Sequence, residues 1–155
     1  MLGYNTSDKR IRTSLEDAKE VGIDFEFIES EVEHIHPNTA KLEVEAGRHS
    51  LDLIGKSIGG GKMVIFELLG FDVNLSGDFP SYFVFYKFSE KNKTHLLSEI
   101  SNIFGDNKVS DNFSDSILEG INLLVVEVLE EISDKQLETI SDLEYVNEIK
   151  FADKL

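Results

Sequence analysis

Tyr82-Phe83-Val84-Phe85-Tyr86-Lys87-Phe88, with the helical pattern of Thr94 to Phe104 behind it, opens the stretch that decides the fold. The first segment is aromatic and β-branched and reads as a strand; the second reads as an amphipathic helix. A weak polar strand is expected around Val109 to Phe113, then a strand over Ile121 to Leu129, a helix over Asp134 to Leu143 and a strand over Tyr145 to Phe151. The second helix has the clearest start, because Ser133 is followed three residues later by Gln136, the spacing of a reciprocal capping box. The order is βαββαβ, the ferredoxin-like split βαβ motif, in which two helices pack on one face of a four-stranded sheet.

Upstream, Ser76-Gly77-Asp78-Phe79-Pro80 is punctuated by glycine and proline and is followed at once by a new apolar run. It divides the chain into a first domain, 1–78, and a second, 79–155. In the first, Ile11, Leu15, Ala18 and Val21 recur at three and four positions with Gly22 behind them, which predicts a helix over Ser7 to Val21. Period-two alternation predicts strands over Ile23 to Ile28, Lys41 to Val44 and Ser50 to Ile54, and Met63 to Leu68 with Phe71 to Leu75 reads as a hairpin about Gly70. The fold class is therefore α+β: a small antiparallel β domain with one N-terminal helix, then the βαββαβ domain.

Composition narrows the function. Asp and Glu outnumber Lys and Arg by 30 to 15, a formal charge of −15 that repels nucleic acid and anionic membranes. The three arginines, Arg10, Arg12 and Arg48, supply no cluster of phosphate forks. With no cysteine among the 155 residues there is no disulfide, thiolate metal site, Cys-ligated iron–sulfur cluster or Cys nucleophile in this sequence. The first ten residues have no signal-like apolar core and no apolar run reaches membrane-spanning length, so a cytoplasmic location is expected.

Two segments carry candidate chemistry. Ser57-Ile58-Gly59-Gly60-Gly61-Lys62 suits an anion-binding nest of backbone amides. It fails as a phosphate loop, since Gly61 follows Gly60 where lysine is needed. It fails too as a dinucleotide fingerprint, since Val64 stands where a third glycine is needed. A tight or bulged turn is the simpler reading. His34 and His36 would share one side of a strand, but two ligands do not make a metal site, and no metal is expected. His36 and Asn38, an imidazole and an amide on the short loop Glu33 to Thr39, can together bind the carboxylate and amine of a small amino acid. Serines are plentiful, yet nothing resembles Gly-x-Ser-x-Gly and no catalytic residue is assigned.

His36-Pro37-Asn38-Thr39-Ala40-Lys41, then Ser57 to Lys62, then Leu69-Gly70-Phe71-Asp72-Val73-Asn74-Leu75-Ser76-Gly77, resemble in order and spacing the β subunit of the bacterial iron–sulfur-dependent L-serine dehydratase, or L-serine ammonia-lyase. The resemblance implies an allosteric substrate-binding domain followed by an ACT domain. It implies no catalysis by this chain alone: the [4Fe-4S] cluster belongs to an α subunit, the expected partner. It implicates His36 and Asn38 in contacting an effector such as L-serine, with Gly59, Gly60 and Gly61 shaping the adjacent backbone. The family's segment bearing a Ser-Ser-Ser-His-Thr motif lies before the point where this sequence opens, which reads as a fragment or a short paralogue with an open sheet edge for a homodimer or partner to cover. The family also expects an acidic residue and a glycine after the first ACT strand. Here the loop is Ser89-Glu90-Lys91-Asn92-Lys93, without glycine, and the ACT-like part is read as a pairing and assembly module. A stand-alone sensor or oligomerisation module without an enzyme partner is the alternative.

Overall fold

The computed structural model describes residues 2–4, 7–29, 37–115 and 120–154. Two compact units are present, Met1–Ile35 and His36–Leu155.

In the first unit a 3-10 turn, Lys9–Thr13, runs into helix α1, Ser14–Glu20. Asp8 starts the turn: its Oδ1 accepts from the Arg10 amide at 2.9 Å, and the Arg10 guanidinium holds that carboxyl below the usual carboxylate range. Tyr4 donates its hydroxyl hydrogen to Asp17 at 2.9 Å, beneath the Arg10 guanidinium, which lies 4.2 Å from the Tyr4 ring centre. Gly22, at φ +80°, ends the helix, and the Ile23 amide donates to the Ala18 carbonyl. The strand expected over Ile23 to Ile28 is not formed, and these residues join neither sheet. Alternation supplies a strand's two faces, but a strand also needs a neighbour for its amides and carbonyls. Phe25 instead meets Phe27 edge-on at 5.7 Å and lies under the Lys19 ammonium.

The second unit holds two antiparallel four-stranded sheets. The first is a meander of β1 (Thr39–Ala46), β2 (His49–Gly59), β3 (Lys62–Leu68) and β4 (Phe71–Leu75) in sequential order. The β3–β4 turn is Leu69-Gly70, with φ +52° and +78°. A left-handed leucine costs about 1 kcal/mol or more, and Leu69 meets this by packing on the cluster around Leu68, Phe71 and Leu75.

The second sheet contains β5 (Ser81–Lys87), β6 (Lys108–Ser114), β7 (Ile121–Val128) and β8 (Val146–Ala152), in the order β6-β7-β5-β8. Helix α2 (Glu90–Phe104) joins β5 to β6 and α3 (Asp134–Ser141) joins β7 to β8, so the βαββαβ reading holds with all neighbours antiparallel. Ser81 to Tyr86 and Asn122 to Val126 are buried without interruption because this sheet is covered on both faces. Tyr82, Val84, Tyr86, Leu124, Val126 and Val128 pack under Leu96, Ile100 and Phe104 of α2 and Ile140 of α3. Phe83, Phe85, Leu123 and Val125, on the opposite pleat, meet Leu68, Phe71 and Leu75 of the first sheet. β6 pairs only with β7, and an edge position accounts for its polar sequence.

Helix α2 begins at Glu90, four residues before the expected Thr94. Ser89 is its cap, accepting from the Asn92 amide at 3.0 Å, and the Asn92 side chain donates back to the Lys87 carbonyl at 2.8 Å. The stretch Ser89 to Lys93, expected as an open loop, is therefore the cap and first turn of a helix.

Candidate ligand site on the first sheet

Asn38 lies in the turn that delivers the chain into β1. Its carbonyl accepts from the Ser57 amide at 3.0 Å, and the next residue, Thr39, stands opposite Lys56 in the β1–β2 ladder. This register brings two segments eighteen positions apart in sequence to the same end of the sheet.

Between Ser57 and Gly59 the ladder slips. Ser57 faces Met63 and Gly59 faces Lys62, leaving Ile58 as the extra residue of a bulge. In a regular strand consecutive residues look to opposite faces; a bulge breaks that alternation. Asn38, Lys56, Ser57, Ile58 and Gly59 accordingly line one open depression of about 390 Å³. Gly60 and Gly61 form the two-residue loop closing β2 onto β3, at φ +64° and +78°, with Gly59 at +90°. Among the described residues a Cβ at any of these three glycines would meet nothing within 4 Å, so left-handed backbone is what demands glycine. Gly55 differs. It is buried at a second bulge, and a Cβ there would stand 3.1 Å from the Val64 carbonyl oxygen.

Of the residues expected at a ligand site, the structure brings Asn38 and Gly59 together, while Gly60 and Gly61 shape the neighbouring turn without lining the depression. His36, like the His34/His36 pair, lies outside the described residues. Lys56 is a lining residue that the sequence reading passed over. Its only sequence signal was adjacency to the glycine-rich run, since a lysine before a bulge is not a motif.

The N-terminus of α2 is occupied by its own Ser89 and Asn92, and Glu90 in the first turn sets a negative charge where an anionic ligand would dock. Among the described residues no group of three His, Asp or Glu side chains could hold a metal ion.

Comparison with known proteins bears on this arrangement. Over 157 aligned residues the chain is 32% identical to the Bacillus subtilis (strain 168) protein named "Probable L-serine dehydratase, beta chain", covering 99% of this chain and 70% of that one. The chain belongs to the L-serine dehydratase beta-chain family. A second member, the "L-serine dehydratase, beta chain" of Peptoniphilus asaccharolyticus, is 32% identical over 88 residues, 56% of this chain and 40% of that relative. No family model matches the chain. The near-complete alignment to the first relative takes in both sheets and the Asn38 to Gly59 site. No helix of the described residues is long and apolar enough to cross a membrane.

Proposed function

We propose that this chain is a non-catalytic, regulatory component of an L-serine dehydratase, the enzyme that converts L-serine to pyruvate and ammonia, and that it binds L-serine or a related small ligand at the Asn38–Gly59 depression. The observation that carries the reading is the 32% identity to a beta chain along 99% of the sequence. A [4Fe-4S] cluster does not fit here, because the 155 residues hold no cysteine thiolate to ligate it, and it is assigned to a partner alpha chain.

In this reading residues 1–78 form the ligand-reading domain, with His36 and Asn38 as ligand contacts and Gly59, Gly60 and Gly61 as the backbone around them. Residues 79–155 form an ACT-like pairing domain that supports a homodimer and the contact with the alpha chain. The mechanism is linkage: a ligand held more tightly in one arrangement of the subunits favours that arrangement and biases the partner's active site, by a factor equal to its differential affinity. Titration of L-serine into the chain, alone and mixed with an L-serine dehydratase alpha chain, tests the reading. Binding heat together with co-elution of the two chains is expected; no heat in either mixture removes the ligand role, and failure to co-elute removes the subunit role.

A further inference from the structure

Lys56 distinguishes the depression from the rest of a surface dominated by acid. Other half-buried cations of the described residues are already engaged: Lys108 with Asp111, and Lys93 over the Phe113 ring at 4.8 Å. On the same strand pair, Lys41 is shared between Glu43 at 2.7 Å and Asp52 at 3.3 Å, which raises its pKa. Lys56 has neither an acid nor a ring partner among the described residues, although 30 carboxylates are available to a chain with 15 cations. It lines the concavity with Asn38, Ser57, Ile58 and Gly59, and among the described residues no carboxylate is in that lining. A carboxylate from outside would give the Lys56 ammonium a counter-charge through a charge-assisted hydrogen bond.

We infer that Lys56 is the carboxylate anchor of this site, and that the site takes small monocarboxylates whether or not they carry an ammonium group. The inference rests on the proposed ligand role of the same depression and adds to it the recognition element and the ligand class. The absence of a lining carboxylate among described residues leaves the ligand's amino group without an ionic partner, so the ligand's carboxylate carries the charge recognition.

The test is calorimetric titration of the full chain with three probes: L-serine, L-glycerate, which keeps the carboxylate but has no ammonium, and L-serinamide, which keeps the ammonium but has no carboxylate. L-serine and L-glycerate are expected to bind within about threefold of each other, and L-serinamide not at all. Lys56→Met is expected to weaken both acids by about 10-fold or more, the range of a hydrogen bond to a charged group, with Lys56→Arg within about threefold of the parent. Lys135→Met, which removes an exposed charge from α3, is the control and leaves binding unchanged. Binding of L-serine by Lys56→Met at parental strength overturns the anchor while leaving the ligand role intact, and L-serinamide binding as well as L-serine overturns the ligand class. No binding of any probe by the parent overturns the inference and the ligand role together.

Discussion

The hydroxyl of Tyr82 accepts a hydrogen bond from the amide of Ile132 at 3.0 Å, across fifty positions of sequence. It ties the start of β5 to the entry of α3 while the Tyr82 ring packs edge-on against Phe104, with centroids 5.6 Å apart. Tyr82→Phe keeps the ring and leaves the Ile132 amide without its acceptor. A loss of about 1 kcal/mol is expected in urea unfolding, whereas Tyr82→Ala, which also empties the core, costs about 3–5 kcal/mol.

Tyr86 provides the contrast. Its side chain is fully buried, and its hydroxyl lies near Asn122 without making a hydrogen bond of normal geometry. Burial first, and the Asp115 carboxylate second, push its pKa up to about 12. The neutral phenol is thus favoured in the folded state. Stability from this group is complete below pH 10, where the unfolded tyrosine is also protonated, and is lost as the pH rises from about 10 to about 12, in total about 3 kcal/mol. Tyr86→Phe is expected to be neutral or slightly stabilising at pH 8 and to flatten the alkaline loss measured by denaturation at pH 11. Equal alkaline slopes for parent and variant would show that Tyr86 is not the group responsible.

Gln136 performs two tasks at once. Its Oε1 accepts from the Ser133 amide at 3.1 Å, completing the capping box, and its Nε2 donates to the Ile103 carbonyl of α2 at 2.9 Å. Gln136→Glu retains the acceptor but loses the donor and turns a carboxylate toward a carbonyl, for an expected cost of about 1 kcal/mol. Gln136→Ala removes both functions and costs about 2 kcal/mol, with amide exchange in α3 accelerating before that in β7.

Two glycines of one strand pair respond differently to substitution. Gly55→Ala forces a methyl toward the Val64 carbonyl oxygen and is expected to cost about 1–3 kcal/mol, whatever residue replaces the glycine. Gly60 has open space and a φ of +64°. Gly60→Ala costs about 1 kcal/mol through backbone strain, while Gly60→Asn, which tolerates left-handed backbone and precedes Gly61, leaves stability within about 0.5 kcal/mol. Thermal unfolding of the three variants separates close contact from conformation as the reason for glycine.

Most element types were legible locally. The apolar runs of Tyr82 to Phe88 and Ile121 to Leu129, the Ser133/Gln136 spacing and the Gly70 hairpin each announced themselves within a few residues. Errors arose where a local pattern lacked its non-local counterpart. Ile23 to Ile28 has strand alternation but no neighbour to complete a ladder, and Ser89 to Lys93 looked like a loop because its cap depends on the Asn92 side chain folding back to Lys87. The candidate site was half legible: Asn38 and Gly59 stood out by residue type, whereas Lys56 became relevant only through its position opposite Thr39.

Sequence by itself determined the α+β class, the βαββαβ order, the acidic surface and the membership in a family, because periodicity, caps and aligned identities are properties read along one chain. Tertiary structure decided that the second sheet is buried on both faces and that Asn38 meets the Lys56 to Gly59 bulge. The physical reason is register: which side chains share a pleat or a concavity is fixed by hydrogen-bonded pairing between distant segments, and a shift of one residue exchanges the two faces of a strand.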